Sequence, residues 1–206
     1  MHAMNPSGRL AAAALVAVLA SVGGAVAQSG SKQPEMTAEQ KAAMEAWTKA
    51  ATPGAAHKLL DPTIGVWGVA MTTWDAPGAP PTKSVGTAEN EWVLGGRFVR
   101  QSYHGDFMGM KFEGLGYTGY DNVAKQYIGT WMDSMGTAMM VSTGTADASG
   151  KVITMRATID DATTTRKIAV REVLRIVDAN RHEFEMYGTD PSGKETEMME
   201  AVYTRK

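Results

Sequence analysis

The side chains able to do chemistry in this chain are carboxylates, arginines, methionines and a few scattered histidines set among alternating aromatics. Glu89 and Glu91 share one face of a predicted strand, Arg97 opens the next, and Tyr127, Trp131 and Asp133 share a face of a later one. In the last strand Thr196, Met198, Glu200 and Val202 alternate, so if Met198 and Val202 point inward, Glu200 does too. A carboxylate inside a small barrel must be paired or hydrated. Three roles fit: an internal hydrogen-bond network that fixes register, an arginine-centred site for a ligand carboxylate, or acid–base catalysis by Glu200 or Asp133 with Tyr117 as hydrogen-bond donor.

The histidines offer less. His57, His104 and His182 lie far apart, without metal-ligand spacing. His57 sits in the connector Ala56-His-Lys-Leu-Leu60 and should cap or pack there. His104 lies near a hairpin end and should be solvated. His182 alternates with Phe184 and Met186 and should face the interior near a rim. The absence of cysteine removes any thiolate nucleophile or thiolate metal site. The 15 methionines raise Cu(I) binding through soft thioethers. Against this, the close pairs Met108/Met110, Met132/Met135, Met139/Met140 and Met198/Met199 include adjacent strand residues, which point to opposite faces. Methionine is better read as adaptable apolar lining.

Gly114-Leu-Gly-Tyr-Thr-Gly119 satisfies G-x-G-x-x-G, but that motif cradles phosphate only where the turn opens a helix. More strand follows here, so these glycines mark bulges and tight curvature. A formal charge of −2 leaves no basic excess for phosphate neutralisation, and nucleic acid is not an expected partner.

Two kinds of element must position these groups. Thr37-Ala-Glu-Gln40 is a capping box that starts a helix, Pro53-Gly54 ends it, and Ala43, Met44, Trp47 and Ala50 form an apolar stripe expected to dock on the larger body. From Thr63 onward the period becomes 2. Nine breaks, from Asp75–Pro81 through Asp147–Gly150 to Asp190–Gly193, divide the rest into about ten strands. Short turns between successive strands favour an antiparallel up-and-down arrangement, which leaves two edges that barrel closure pairs away.

The N-terminus has a basic start, an Ala/Leu/Val run from Leu10 to Ala20 and Ala25-Val-Ala27, the three parts of a cleaved secretory signal. The expected domains are 1–27 as signal peptide, 28–56 as tether and helix, and 57–206 as the barrel. Localisation is then periplasmic or secreted, with no stable membrane anchor after processing.

The blocks Trp92-Val-Leu-Gly-Gly-Arg-Phe98, Gly105–Asp121, Gln126–Gly136, Phe184-Glu-Met-Tyr187 and Met198–Lys206 resemble the bacterial family known as domain of unknown function 1579. The resemblance implies a calycin-like β-barrel without an assigned activity. Gly65-Val-Trp67 resembles the Gly-x-Trp motif of lipocalin-type barrels, which implies that Trp67 plugs the closed end under Arg205. Related nitrobindin-type barrels imply haem binding through a histidine as an alternative role for His182. The expected function is binding of a small apolar or amphipathic molecule in the cavity, without a cofactor or metal. Trp92, Phe98, Met110, Tyr117, Trp131 and Met139 are the expected lining, with Arg97 and Glu200 as polar anchors.

Overall fold

The computed structural model describes residues 35–161, 164, 166–190 and 192–206. The expected signal segment and its cleavage after Ala27 lie outside the described residues. No helix among the described residues is long and apolar enough to cross a membrane.

Helix α1 spans Ala38–Ala51 and begins as its capping box dictates. The Gln40 amide N–H donates to Thr37 Oγ1 at 3.2 Å, and the Thr37 N–H donates to Gln40 Oε1 at 2.9 Å. Its stripe does not dock as expected: α1 has no buried residue, and Met44 and Trp47 are exposed. Its C-terminal end is held by Asn122, whose Nδ2 donates to the carbonyls of Ala50 at 3.0 Å and Thr52 at 2.8 Å. Those bonds satisfy carbonyls that a helix end leaves free.

A short helix α2 (Ala55–Lys58) and a 3-10 turn (Asp61–Thr63) lead into ten strands. These are β1 Gly65–Thr73, β2 Thr82–Val93, β3 Phe98–Phe107, β4 Met110–Asp121 and β5 Gln126–Asp133. They continue with β6 Met140–Ala146, β7 Val152–Asp160, β8 Lys167–Asp178, β9 Arg181–Thr189 and β10 Glu195–Arg205. Each strand is antiparallel to its sequence neighbours, and β1 pairs with β10 to close the barrel. Closure leaves no edge strand among the described residues to pair with another chain. The turns fall at the predicted breaks, and residues with positive φ mark several of them, including Gly95 and Gly96 between β2 and β3.

Glycine spacing in β4 has a more specific cause than curvature. Gly116 lies opposite Trp131, and the Trp131 indole lies across both Gly114 and Gly116. A Cβ on Gly116 would meet the ring at 3.0 Å, and one on Gly114 would run into it. Gly119 makes room in the same way for the Phe98 ring opposite it. Gly114→Ala should therefore destabilise the barrel by about 1–2 kcal/mol, because the overpacking cost outweighs the entropic gain of Ala in a strand. Urea unfolding followed by Trp fluorescence measures this; a variant as stable as the parent would remove the indole from that role.

Candidate functional site

The two barrel ends differ because the chain enters at one of them. There the 3-10 turn brings Leu60 and Thr63 over the floor, and Trp67, wholly buried, donates its indole N–H to the Thr63 carbonyl at 2.8 Å. Arg205 lies directly opposite Trp67 in the β1–β10 pairing, its guanidinium carbon 4.2 Å from the ring centre. The same guanidinium donates to the carbonyls of Ile64 at 2.9 Å, Pro62 at 3.2 Å and Ala179 at 2.8 Å. Gly65 is required beneath it: its φ is +127°, and a Cβ there would collide with the Arg205 guanidinium. The Gly-x-Trp spacing is thus the geometry of a plug.

Above this floor is a cavity of about 600 Å³. Phe107 and Asp106 of β3, Asp133 of β5, Asp160 of β7 and the segment after β5 that contains Met135 and Met139 line its mouth. Tyr103, Phe112, Trp131, Phe184 and Tyr203 supply rings to the wall, and Met71, Met155, Met186 and Met199 supply flexible thioethers.

Polar groups are few and incompletely satisfied. Five buried side-chain polar atoms lack a partner among the described residues. Four belong to cavity-lining residues: Thr73 Oγ1, Asn90 Oδ1, Glu172 Oε2 and His182 Nδ1. Buried polar atoms are nearly always satisfied, so these four depend on whatever the cavity holds. Burial pushes the Glu172 carboxyl above the usual carboxylate range, with the Ser142 hydroxyl pulling the other way. His182 is stacked on Tyr203 and edge-on to Trp67, both at 4.3 Å between ring centres. Burial, assisted by the Arg205 charge, lowers its pKa to about 4 and keeps the ring neutral. Tyr203 is pushed up to about 12 by the same desolvation.

Of the expected site residues, Trp131 and Met139 line the cavity, with the Trp131 indole N–H donating to Asp133 at 3.0 Å. The other six are not among the lining residues. Trp92, opposite the inward Val99, packs under the floor beside Leu60 and donates to Asp61 at 3.0 Å. Phe98 and Tyr117 alternate with the cavity-facing Val99, Gly116 and Thr118 and point outward. Arg97 lies in the β2–β3 turn and donates to the Leu94 carbonyl at 3.0 Å. Met110 is half exposed at the β3–β4 hairpin tip. Glu200 faces out because a bulge between Glu197 and Met199 shifts the strand, so that Met199, Ala201 and Tyr203 point inward. The same bulge places both Met198 and Met199 on the cavity wall, against the simple alternation expected of adjacent strand residues.

His57 caps, accepting the Gly54 N–H at Nδ1 at 3.1 Å, and His104 is exposed beside Glu113. His182 faces inward as expected, though at the floor and not the rim. Glu172 was missed, yet the signal was present: Ile168, Val170, Leu174 and Ile176 alternate around it, with Arg171 and Arg175 on the other face.

A closed ten-stranded barrel, plugged at one end and opening at the other into a lined cavity, defines a calycin-like cavity protein. The chain matches the family described as protein of unknown function (DUF1579) over residues 52–205, and it belongs to that family. Among solved structures it is similar to the crystal structure of Rv2717c from M. tuberculosis, at 17% identity and a TM-score of 0.56, covering 75% of this chain and 99% of that one. It also matches a redesigned β-barrel at 15% identity and a TM-score of 0.38, covering 76% of this chain and 99% of that one. A DUF3598-family protein of unknown function from Nostoc punctiforme matches at 7% identity and a TM-score of 0.23, covering 75% of this chain and 100% of that one. No curated protein matches the chain.

Proposed function

We propose that this protein binds one small, partly apolar molecule in its barrel cavity, and does so in the periplasm or outside the cell. The observation that carries the reading is the combination of an apolar, ring-lined volume of about 600 Å³ with four unsatisfied buried polar atoms facing it. Small-molecule sites have this composition and size: a mostly apolar wall with a few placed polar groups. The signal-like N-terminus supports the compartment.

Nile red, a neutral apolar dye, should bind saturably and quench Trp fluorescence. Trp131→Ala should weaken it by removing ring contact, and Met139→Trp should change affinity by narrowing the mouth. Native mass spectrometry of the exported protein should show a retained small molecule. Stoichiometric Cu(I) binding with no uptake of any organic probe would overturn the reading in favour of the thioethers.

A second reading, acid–base catalysis on a sequestered molecule, gains support chiefly from Glu172, a residue that the sequence reading did not name. Glu200 and Tyr117 point away from the cavity and Asp133 lines its mouth, accepting from Trp131 and Met135, whereas Glu172 is a desolvated carboxyl inside it. Conversion of the retained molecule, abolished by Glu172→Gln, would favour catalysis over storage or transport.

A further inference from the structure

We infer that the ligand is an organic cation: an apolar or aromatic body bearing one protonated amine, whose N–H is donated to the carboxylate of Glu172. The inference rests on the cavity reading above and adds the charge of the ligand and the place where that charge sits.

The first observation is the sign of the lining. Its charged residues are Asp106, Asp133 and Asp160 at the mouth and Glu172 within, and no Lys or Arg lines the cavity among the described residues. Asp160 is paired with Lys167 at 2.7 Å on the exposed rim, so the charge that a ligand meets deeper in is that of Glu172, where an anion such as a fatty acid finds no arginine to hold it. The second, independent observation is Glu172 itself, only 4% exposed, with Oε2 lacking any partner. Its cross-strand neighbours are Met155 on β7 and Met186 on β9, and the nearby hydroxyl is Ser142 on β6. None of them supplies a positive charge.

A buried carboxylate without a counter-ion is costly, and the cost falls when a cation enters with it. An ammonium supplies both the charge and the donor that Oε2 lacks. The surrounding rings of Tyr103, Trp131, Phe112, Phe184 and Tyr203 attract cations through their faces and accept an apolar body equally well. The raised pKa of Glu172 agrees: burial disfavours its charged form, and a bound ammonium would restore it.

A matched trio of one chain length separates charge from hydrophobicity. Octylammonium, octanol and octanoate are titrated calorimetrically into the whole protein and into Glu172→Gln, which keeps the shape of the side chain. A charged hydrogen bond at Glu172 should make octylammonium bind about tenfold to a hundredfold more tightly than octanol, with octanoate weakest. In Glu172→Gln that preference should collapse while octanol binding is kept, which also shows that the variant folds.

On the parent protein, octylammonium affinity should rise with pH as Glu172 ionises, the amine itself remaining protonated. The other titratable groups facing the cavity are His182, Tyr103, Tyr203 and the three mouth aspartates, and the same pH series on Glu172→Gln subtracts their contribution. Equal binding of octanol and octylammonium, a preference for octanoate, or a cation preference that survives Glu172→Gln would each overturn the inference and leave the cavity reading standing. Failure of all three, octanol included, would overturn both.

Discussion

Trp67→Ala should lower the stability of the barrel by about 3–5 kcal/mol, the usual cost of removing a fully buried large aromatic side chain. The indole is wholly buried, packs with Val69, Ala88, Tyr103, Ala201 and Tyr203, and its N–H satisfies the Thr63 carbonyl. Truncation therefore opens a void at the floor and orphans an acceptor together.

Arg205→Ala should come close to it, at about 2–4 kcal/mol. The cation over the ring is a small part of this, roughly 0.5–2 kcal/mol. More is lost with the hydrogen bonds to Pro62, Ile64 and Ala179, since bonds from a charged donor contribute about 1.5–3 kcal/mol each when buried and less where solvent competes. The Gly-x-Trp motif displays only the stacking; the three hydrogen bonds come from the fold. Arg205→Lys should fail to restore stability, as one ammonium cannot reach three carbonyls spread over two connections. Urea unfolding of the two single variants, the double variant and Arg205→Lys measures the costs and the coupling between the two residues. Full stability in Arg205→Lys, or a loss below about 1 kcal/mol in Trp67→Ala, would contradict the plug.

The barrel was legible in the sequence and most of its interior was not, for one physical reason. Turns announce themselves through residues that suit them, as Asp147-Ala-Ser-Gly150 does with its Asp147 and Ser149 side chains folded back onto the backbone and Gly150 at φ +70°. Period-2 alternation then gives strands, and ten strands with short turns give closure. Which face points inward is a separate question, and a single inserted residue inverts the answer. The bulge before Met199 turned Glu200 outward, and nothing in Glu195-Thr-Glu-Met-Met-Glu200 advertises it. Trp92 shows the opposite difficulty. Its face was right, but the segment through Leu60 lies between it and the cavity, a contact between residues 32 apart in the chain that no local pattern encodes. Glu172 was legible in principle, since between Ile168 and Ile176 it is the one charged residue in phase with Val170 and Leu174.

His182→Phe should flatten the acid side of the stability profile. The ordinary histidine value of 6.5 falls to about 4 in the folded protein, so the fold favours the neutral ring. The sign follows from that: the unfolded chain takes up a proton first as pH drops, and stability fully present above pH 6.5 is lost progressively towards pH 4. A shift of this size corresponds to about 3 kcal/mol, enough to lower the thermal midpoint by roughly 6–12 °C for a chain of this length. Phenylalanine keeps the stack on Tyr203 and the edge contact with Trp67 and has nothing to protonate. Three other groups bear on the same window. His57, also lowered by burial and by the Arg97 charge, adds acid sensitivity that His182→Phe leaves in place. Glu172, raised by burial, and Glu197, raised by burial and by the Glu200 and Glu185 charges, act in the opposite direction: their contributions are fullest below the ordinary value and are lost as pH rises through the folded one. Repeating the titration in Glu172→Gln removes the buried carboxyl, and the comparison of parent with His182→Phe cancels the groups that both retain. The depressed carboxylates Asp121, Asp147, Asp190 and Glu195 lose their contributions only as pH falls through their lowered values, beneath this window. Urea midpoints at pH 7 and pH 4.5 should therefore separate much further in the parent than in His182→Phe. Equal separation would mean that His182 is charged in the fold, and the neutral floor of the cavity would have to be abandoned.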